Sequence, residues 1–109
     1  STEEFIDKFK LDYAIIGCSA IDDRGEFCDY DLREVRVTQA IIRHARSVIL
    51  VTDSLKFDRS APVRVGTLDD IDILVTDDGV KQDFIDLCKS FDVDIRIAHG
   101  PDSPAREER

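Results

Sequence analysis

The pentapeptide Ile-Leu-Val-Thr-Asp occurs twice, at residues 49–53 and again at residues 73–77. Its first four residues are apolar or β-branched, the composition of a short strand buried on both faces, as in a parallel sheet. The flanks differ. The first copy runs into Ser54-Leu55-Lys56-Phe57 and the second into Asp78-Gly79-Val80-Lys81. A repeat protein would need three or more matching units, so the pair reads as two similar strands of one sheet.

Working outward, the same alternation of strand and helix continues. Ser1 and Glu4 match a capping box ahead of Phe5, Ile6 and Phe9, predicting a helix over residues 2–10. Residues 12–17 then read as a short apolar strand and residues 18–30 as a polar loop containing Gly25. Residues 31–46 carry the longest helical pattern, and Glu34, Val37, Ile41 and Ala45 fall on one face at 3.6 residues per turn, placing a carboxylate on an apolar stripe. The next strand is 48–52, followed by a loop over 54–62, a capped turn at Thr67-x-x-Asp70 and the third strand at 72–76. Val80, Phe84, Leu87, Cys88 and Phe91 form an amphipathic helix, and residues 93–98 alternate as an edge strand does. Strands separated by helices imply an α/β fold, a mostly parallel sheet with helices on both faces, Rossmann-like. Residues 1–98 form one domain, and the tail at 99–109, with Pro101 and Pro104, reads as disordered.

A chain of 109 residues with 42% hydrophobic and 36% charged residues has the composition of one soluble globular domain. Its formal net charge of -9 repels a phosphate backbone, so direct contact with nucleic acid is not expected of these residues. No apolar run approaches the roughly 20 residues needed to span a bilayer, and no membrane partner is expected. Cys18, Cys28 and Cys88 form no zinc or CxxC spacing; they read as reduced packing residues in a cytoplasmic setting. His44 and His99 stand apart in sequence, and neither a metal nor a cofactor is expected. The chain begins at Ser1 without Met and reads as part of a longer protein.

Ligands of open parallel sheets bind beyond the carboxyl ends of the strands. Gly17, Ser19 and Asp22 follow one such end, and Asp53 and Lys56 another. Lys56 offers a compact positive charge for a phosphate, and Gly17 would let backbone N–H groups approach a ligand. Asp22, Asp53 and Glu34 are candidate acceptors for sugar or polyol hydroxyls. For Lys56 the alternative is a solvated surface lysine, and for Glu34 a first-turn carboxylate favoured by the helix N-terminus. Walker A, G-x-G-x-x-G and H-E-x-x-H sequences are absent.

Gly17-Cys18-Ser19-Ala20-Ile21-Asp22, Glu34-Val35-Arg36 at a helix start, Val51-Thr52-Asp53-Ser54-Leu55-Lys56-Phe57-Asp58-Arg59 and Val75-Thr76-Asp77 resemble the C-terminal sensor domain of DeoR-type bacterial transcriptional repressors. The resemblance covers about Phe5 to Ala98, and its D-S-x-K-F-x-R element is the most specific part. The stretch 27–36 is most similar to the branch of the family that governs glycerol-3-phosphate genes. The resemblance implies a sensor related in fold to ribose-5-phosphate isomerase, a phosphorylated sugar or polyol as effector with glycerol 3-phosphate the first choice, and DNA contact only through an N-terminal helix-turn-helix domain outside this chain. It also implies that Lys56 holds phosphate, that Asp53 orients Lys56, and that Glu34 matches the base of the isomerases. Ala20 and Asp58 depart from the pattern, standing where the family often has glycine. Two rival readings remain open here: a sugar-phosphate isomerase with Glu34 as general base, and an assembly module without a ligand. Homo-oligomerisation fits the sensor reading as well.

Overall fold

The computed structural model describes residues 2–6 and 10–99. The expected cap at Ser1, residues 7–9 of the expected first helix and the tail from Gly100 onward lie outside them. Helix α1 (Thr2–Ile6) precedes strand β1 (Leu11–Ile16), the short strands β2 (Ala20–Ile21) and β3 (Glu26–Asp29), helix α2 (Leu32–His44) and strand β4 (Ala45–Val51). A 3-10 turn at Ser54–Lys56, strand β5 (Val63–Thr67) and a second 3-10 turn at Leu68–Asp70 lead to β6 (Ile73–Asp77), helix α3 (Gln82–Ser90) and β7 (Asp94–Ala98).

Two sheets form. The larger is wholly parallel, in the order β1-β4-β6-β7. In it the repeated pentapeptides lie side by side in matching register: Ile49 faces Ile73, Leu50 faces Leu74 and Val51 faces Val75. Leu50 and Leu74 are fully buried, and Thr52 N–H donates to Val75 O at 3.0 Å, carrying the pairing one residue past β4. β1, β4 and β6 were expected from their apolar runs and β7 from its alternation, and all four are present.

The smaller sheet, β2-β3-β5, is antiparallel and corrects the expected loop at 18–30. β2 and β3 are too short for alternation to register in sequence, yet Ile21 and Phe27 are fully buried. Its hairpin is closed by Asp22, whose Oδ1 accepts from Arg24 N–H at 2.9 Å and Glu26 N–H at 3.0 Å. Gly25 completes the turn with φ +87, and a Cβ there would sit 2.9 Å from a Leu68 methyl. Strand β5 was likewise not foreseen. The Thr67 cap was: its hydroxyl accepts from Asp69 N–H and Asp70 closes the reciprocal bond onto Thr67 N–H.

One core holds these parts together, with Ile16, Val48, Leu50 and Leu74 from one sheet face, Val35 from α2, Phe84 and Cys88 from α3, and Ile21 and Phe27 from the small sheet. Cys28 and Cys88 are buried thiols, and Cys18 is half-buried against Thr52. The helical stripe expected on α2 is rotated. Val35 and Ala40 are the buried residues of α2, while Glu34 is exposed, so no carboxylate shares the buried face.

The expectation of helices on both faces is corrected in the same way. Among the described residues α2 and α3 serve one face, and the other leaves Tyr13 68%, Ile15 73% and Val51 46% exposed. The cause is topological. Strands added in one direction by crossovers of one hand put every connection on the same side.

Candidate functional site

The carboxyl ends of β1, β4 and β6 open onto the same edge, where Gly17, Thr52-Asp53 and Asp77 leave the sheet. A cleft of about 520 Å3 lies beyond that edge. One lip is the loop after the first pentapeptide, with Ser54, Leu55, Phe57, Asp58 and Arg59; the other is the start of α3, with Gly79, Lys81, Asp83 and Phe84. Asp23, from the β2–β3 hairpin, also lines it.

Packing fixes the floor. The rings of Phe57 and Phe84 stack with centroids 4.0 Å apart and planes 16° from parallel. Phe57 also bridges to Ile21, and Arg59 N–H donates to Ile21 O at 3.2 Å, tying the first lip to the small sheet. Between those residues Asp58 takes φ +57, the left-handed region that glycine occupies without strain. The departure from glycine noted in the sequence at Asp58 therefore falls where the backbone would favour glycine.

Asp77 joins the lips. Its Oδ2 accepts from Ser54 N–H at 2.8 Å and its Oδ1 from Gly79 N–H at 2.8 Å. The Ser54 hydroxyl first, then the Ser54 N–H, hold the Asp77 carboxyl below its ordinary value. The contact is close. A Cβ on Gly79 would lie 2.5 Å from Ser54 Oγ and 2.9 Å from Asp77 Oδ1, so only glycine fits there without displacement.

The cleft mixes charges: Arg59 from one lip and Lys81 from the other line it, together with Asp23, Asp58 and Asp83. Such a set can hold an anionic group between the cations while carboxylates accept from hydroxyls on the same small molecule. Cys18, near the β1 end, is pushed up to about 11 by burial, with the Thr52 hydroxyl opposing the shift, so it is a packing thiol rather than a nucleophile.

The residues singled out from sequence are distributed unevenly about this cleft. Lys56, half-buried, closes the 3-10 turn in the first lip without lining the cleft. Asp53 accepts from Leu55 N–H at 2.9 Å, capping that turn. Gly17 is exposed, and a Cβ there would meet only Val51 O at 3.6 Å, an ordinary contact. Ser19 donates to Asp29 at 2.7 Å, and Asp22 is held by the hairpin amides. Glu34 lies apart, in a shallow depression on α2 with Arg33, Val37 and Thr38. Arg59, Lys81, Gly79 and Phe84, which line the cleft, and Asp77, which bonds to both lips, were not among the candidates singled out from sequence. Ser54 and Arg59 were already inside the quoted D-S-x-K-F-x-R element, and the repeated pentapeptide was the signal that Asp77 would stand beside the first loop.

Comparison with known proteins bears on the same residues. The family profile described as the DeoR C terminal sensor domain matches residues 1–78. A glycerol-3-phosphate regulon repressor of Haemophilus influenzae is 49% identical over 78 residues, which are 72% of this chain and 31% of the relative. That of Escherichia coli K12 is 43% identical over 77 residues, 71% of this chain and 31% of the relative. The transcriptional repressor AccR of Agrobacterium fabrum is 34% identical over 80 residues, 72% of this chain and 31% of the relative. The chain thus spans about a third of the length of these relatives. Helix α3 and strand β7 lie beyond the profile match. These relatives are repressors rather than enzymes, and no described helix is long and apolar enough to cross a membrane. Both the profile match and the relatives place the chain in the DeoR family of transcriptional regulators, as part of its C-terminal sensor domain.

Proposed function

We propose that this domain binds a phosphorylated sugar or polyol in the cleft between the first pentapeptide loop and the start of α3, with glycerol 3-phosphate as the first choice. The observation that carries the reading is the presence of Arg59 and Lys81 on opposite lips of one cleft at the carboxyl edge of a parallel sheet. The phosphoryl group lies between those cations, with Lys56 adding positive charge from the turn. Hydroxyls fall to Asp23, Asp58 or Asp83, the carboxylates that line the cleft. Gly17, Ser19, Asp22 and Asp53 shape the loops around the ligand. Glu34, exposed on α2, is the member of the sequence-based set with least support for contact.

Residues to Ala98 belong to the same domain, because β7 pairs with β6 over five positions and Phe84 and Cys88 share the single core. The fold relation to ribose-5-phosphate isomerase is part of this reading. In the full-length regulator, held in the cytoplasm as a homo-oligomer, effector binding shifts an equilibrium between states that differ in operator affinity through an N-terminal helix-turn-helix domain. The names of two relatives, repressors of the glycerol-3-phosphate regulon, favour that ligand.

The test is operator binding by the full-length protein, titrated with glycerol 3-phosphate. A change in operator affinity that disappears in Arg59→Ala and Lys81→Ala is the expected result. Operator affinity indifferent to glycerol 3-phosphate and to a panel of other phosphorylated sugars would overturn the reading.

A further inference from the structure

We propose that Asp77 is the positioning residue of the effector cleft: it sets the separation of the two lips so that Arg59 from one and Lys81 from the other meet the same anionic group. The inference rests on the reading of the cleft as the effector site and extends it to a residue that neither the loop motif nor the lining of the cleft identifies.

The geometry is reciprocal. One carboxylate oxygen takes the Ser54 N–H and the other takes the Gly79 N–H, each at 2.8 Å, so one side chain spans from the first lip to the second. The Ser54 hydroxyl beside it helps to hold the Asp77 carboxyl below its ordinary value. Close packing reinforces the spacing, since Gly79 approaches Ser54 too nearly for any Cβ. From Ser54 the chain runs through the 3-10 turn to Phe57 and Arg59; from Gly79 it runs directly to Lys81. Fixing Ser54 against Gly79 therefore fixes where both cations start. An ammonium and a guanidinium act together on one phosphate only when both reach it, and a displacement of about 1 Å is enough to lose that cooperation.

A carboxylate already within the loops does not itself serve as the ligand site. Its two oxygens are engaged by backbone N–H donors, leaving the cations free for an external anion. Asp77 is thus expected to act on affinity through Arg59 and Lys81 rather than by touching the effector.

A double-mutant cycle on the full-length protein tests this, with glycerol 3-phosphate as titrant, inorganic phosphate as second probe and calorimetry as readout. Asp77→Asn, which keeps the size but places an NH2 group against one N–H donor, is expected to weaken binding by roughly tenfold. Lys81→Ala is expected to cost about as much in the wild-type background but less than about twofold in the Asp77→Asn background, because the cation is no longer in place to be lost. Ser54→Ala removes the hydroxyl that favours the ionised Asp77 without disturbing the carboxylate itself and serves if Asp77→Asn does not fold; it is expected to show the same non-additivity with Lys81→Ala, and Ser54→Thr to restore affinity. Additive losses, the mark of two independent effects, would overturn the strut, as would Asp77→Asn and Ser54→Ala proteins that bind like wild type. A wild-type protein that binds neither probe overturns the cleft reading and the strut together, an outcome separate from binding that ignores Asp77.

Discussion

The two Ile-Leu-Val-Thr-Asp segments share a sheet and a register, yet their last two residues do different work. In the first, Thr52 Oγ1 donates to Asp53 O at 3.3 Å and accepts from the Cys18 thiol at 3.9 Å, while Asp53 caps the turn that follows it. In the second, Thr76 Oγ1 is buried without a partner among the described residues, and Asp77 reaches out of its own strand to hold Ser54 and Gly79. The pentapeptide dictates a buried strand in both places. The role of its polar end is set by what the neighbouring copy sends into the loop: the aspartate of the second segment organises the loop of the first.

The contrast can be broken most severely at Asp77. Asp77→Ala leaves the Ser54 and Gly79 donors without their shared acceptor and is expected to cost about 2 kcal/mol in denaturant unfolding. Its acid dependence has a defined sign. Because the folded carboxyl is held below its ordinary value of 3.8, its stabilising contribution is complete above that pH and is lost as pH falls through the lower folded value. The stability difference between wild type and Asp77→Asn should therefore shrink below about pH 4, and a difference constant with pH would refute the assignment. Asp53→Ala removes a local cap only and should cost about 1 kcal/mol, with no coupling to Gly79. Smallest and most informative are the threonines, substituted by the isosteric valine. Thr52→Val should destabilise by about 1 kcal/mol, whereas Thr76→Val, which deletes an unpartnered buried hydroxyl, should be neutral or stabilising by up to about 1 kcal/mol. Equal losses at both positions would mean that the two hydroxyls are equivalent after all.

Much of the fold was legible because burial on both faces writes itself into sequence as apolar runs, and β1, β4 and β6 carry such runs. Helix α3 was readable from Phe84 and Cys88, and β7 from its alternation. The hairpin of β2 and β3 was not, since strands of two and four residues are too short for a period and their Asp22-Gly25 turn has the composition of a loop. On α2 the period was right and the phase was wrong. Val37 and Ile41 are only partly buried, Ala45 begins β4 instead of ending the helix, and Val35 with Ala40 faces the interior, so Glu34 turned outward. The candidate cleft was legible in part, as a sheet edge and as the loop holding Ser54 to Arg59, but not as a cleft. Lys81 and Gly79 belong to a second loop whose approach to the first depends on two bonds from Asp77, and tertiary hydrogen bonds of that kind leave no local signature.

The face of the parallel sheet that the described residues leave open has a consequence for how the domain can be watched. The chain contains no tryptophan and two tyrosines, Tyr13 and Tyr30, which are 68% and 67% exposed and outside the cleft lining. Its intrinsic ultraviolet emission thus originates on β1 and just before α2, away from the cleft. Ligand entry in this domain alone should leave that emission nearly unchanged. Anything that comes to rest on the bare side of the sheet must alter it through Tyr13, and a Tyr30→Phe protein would carry that signal by itself.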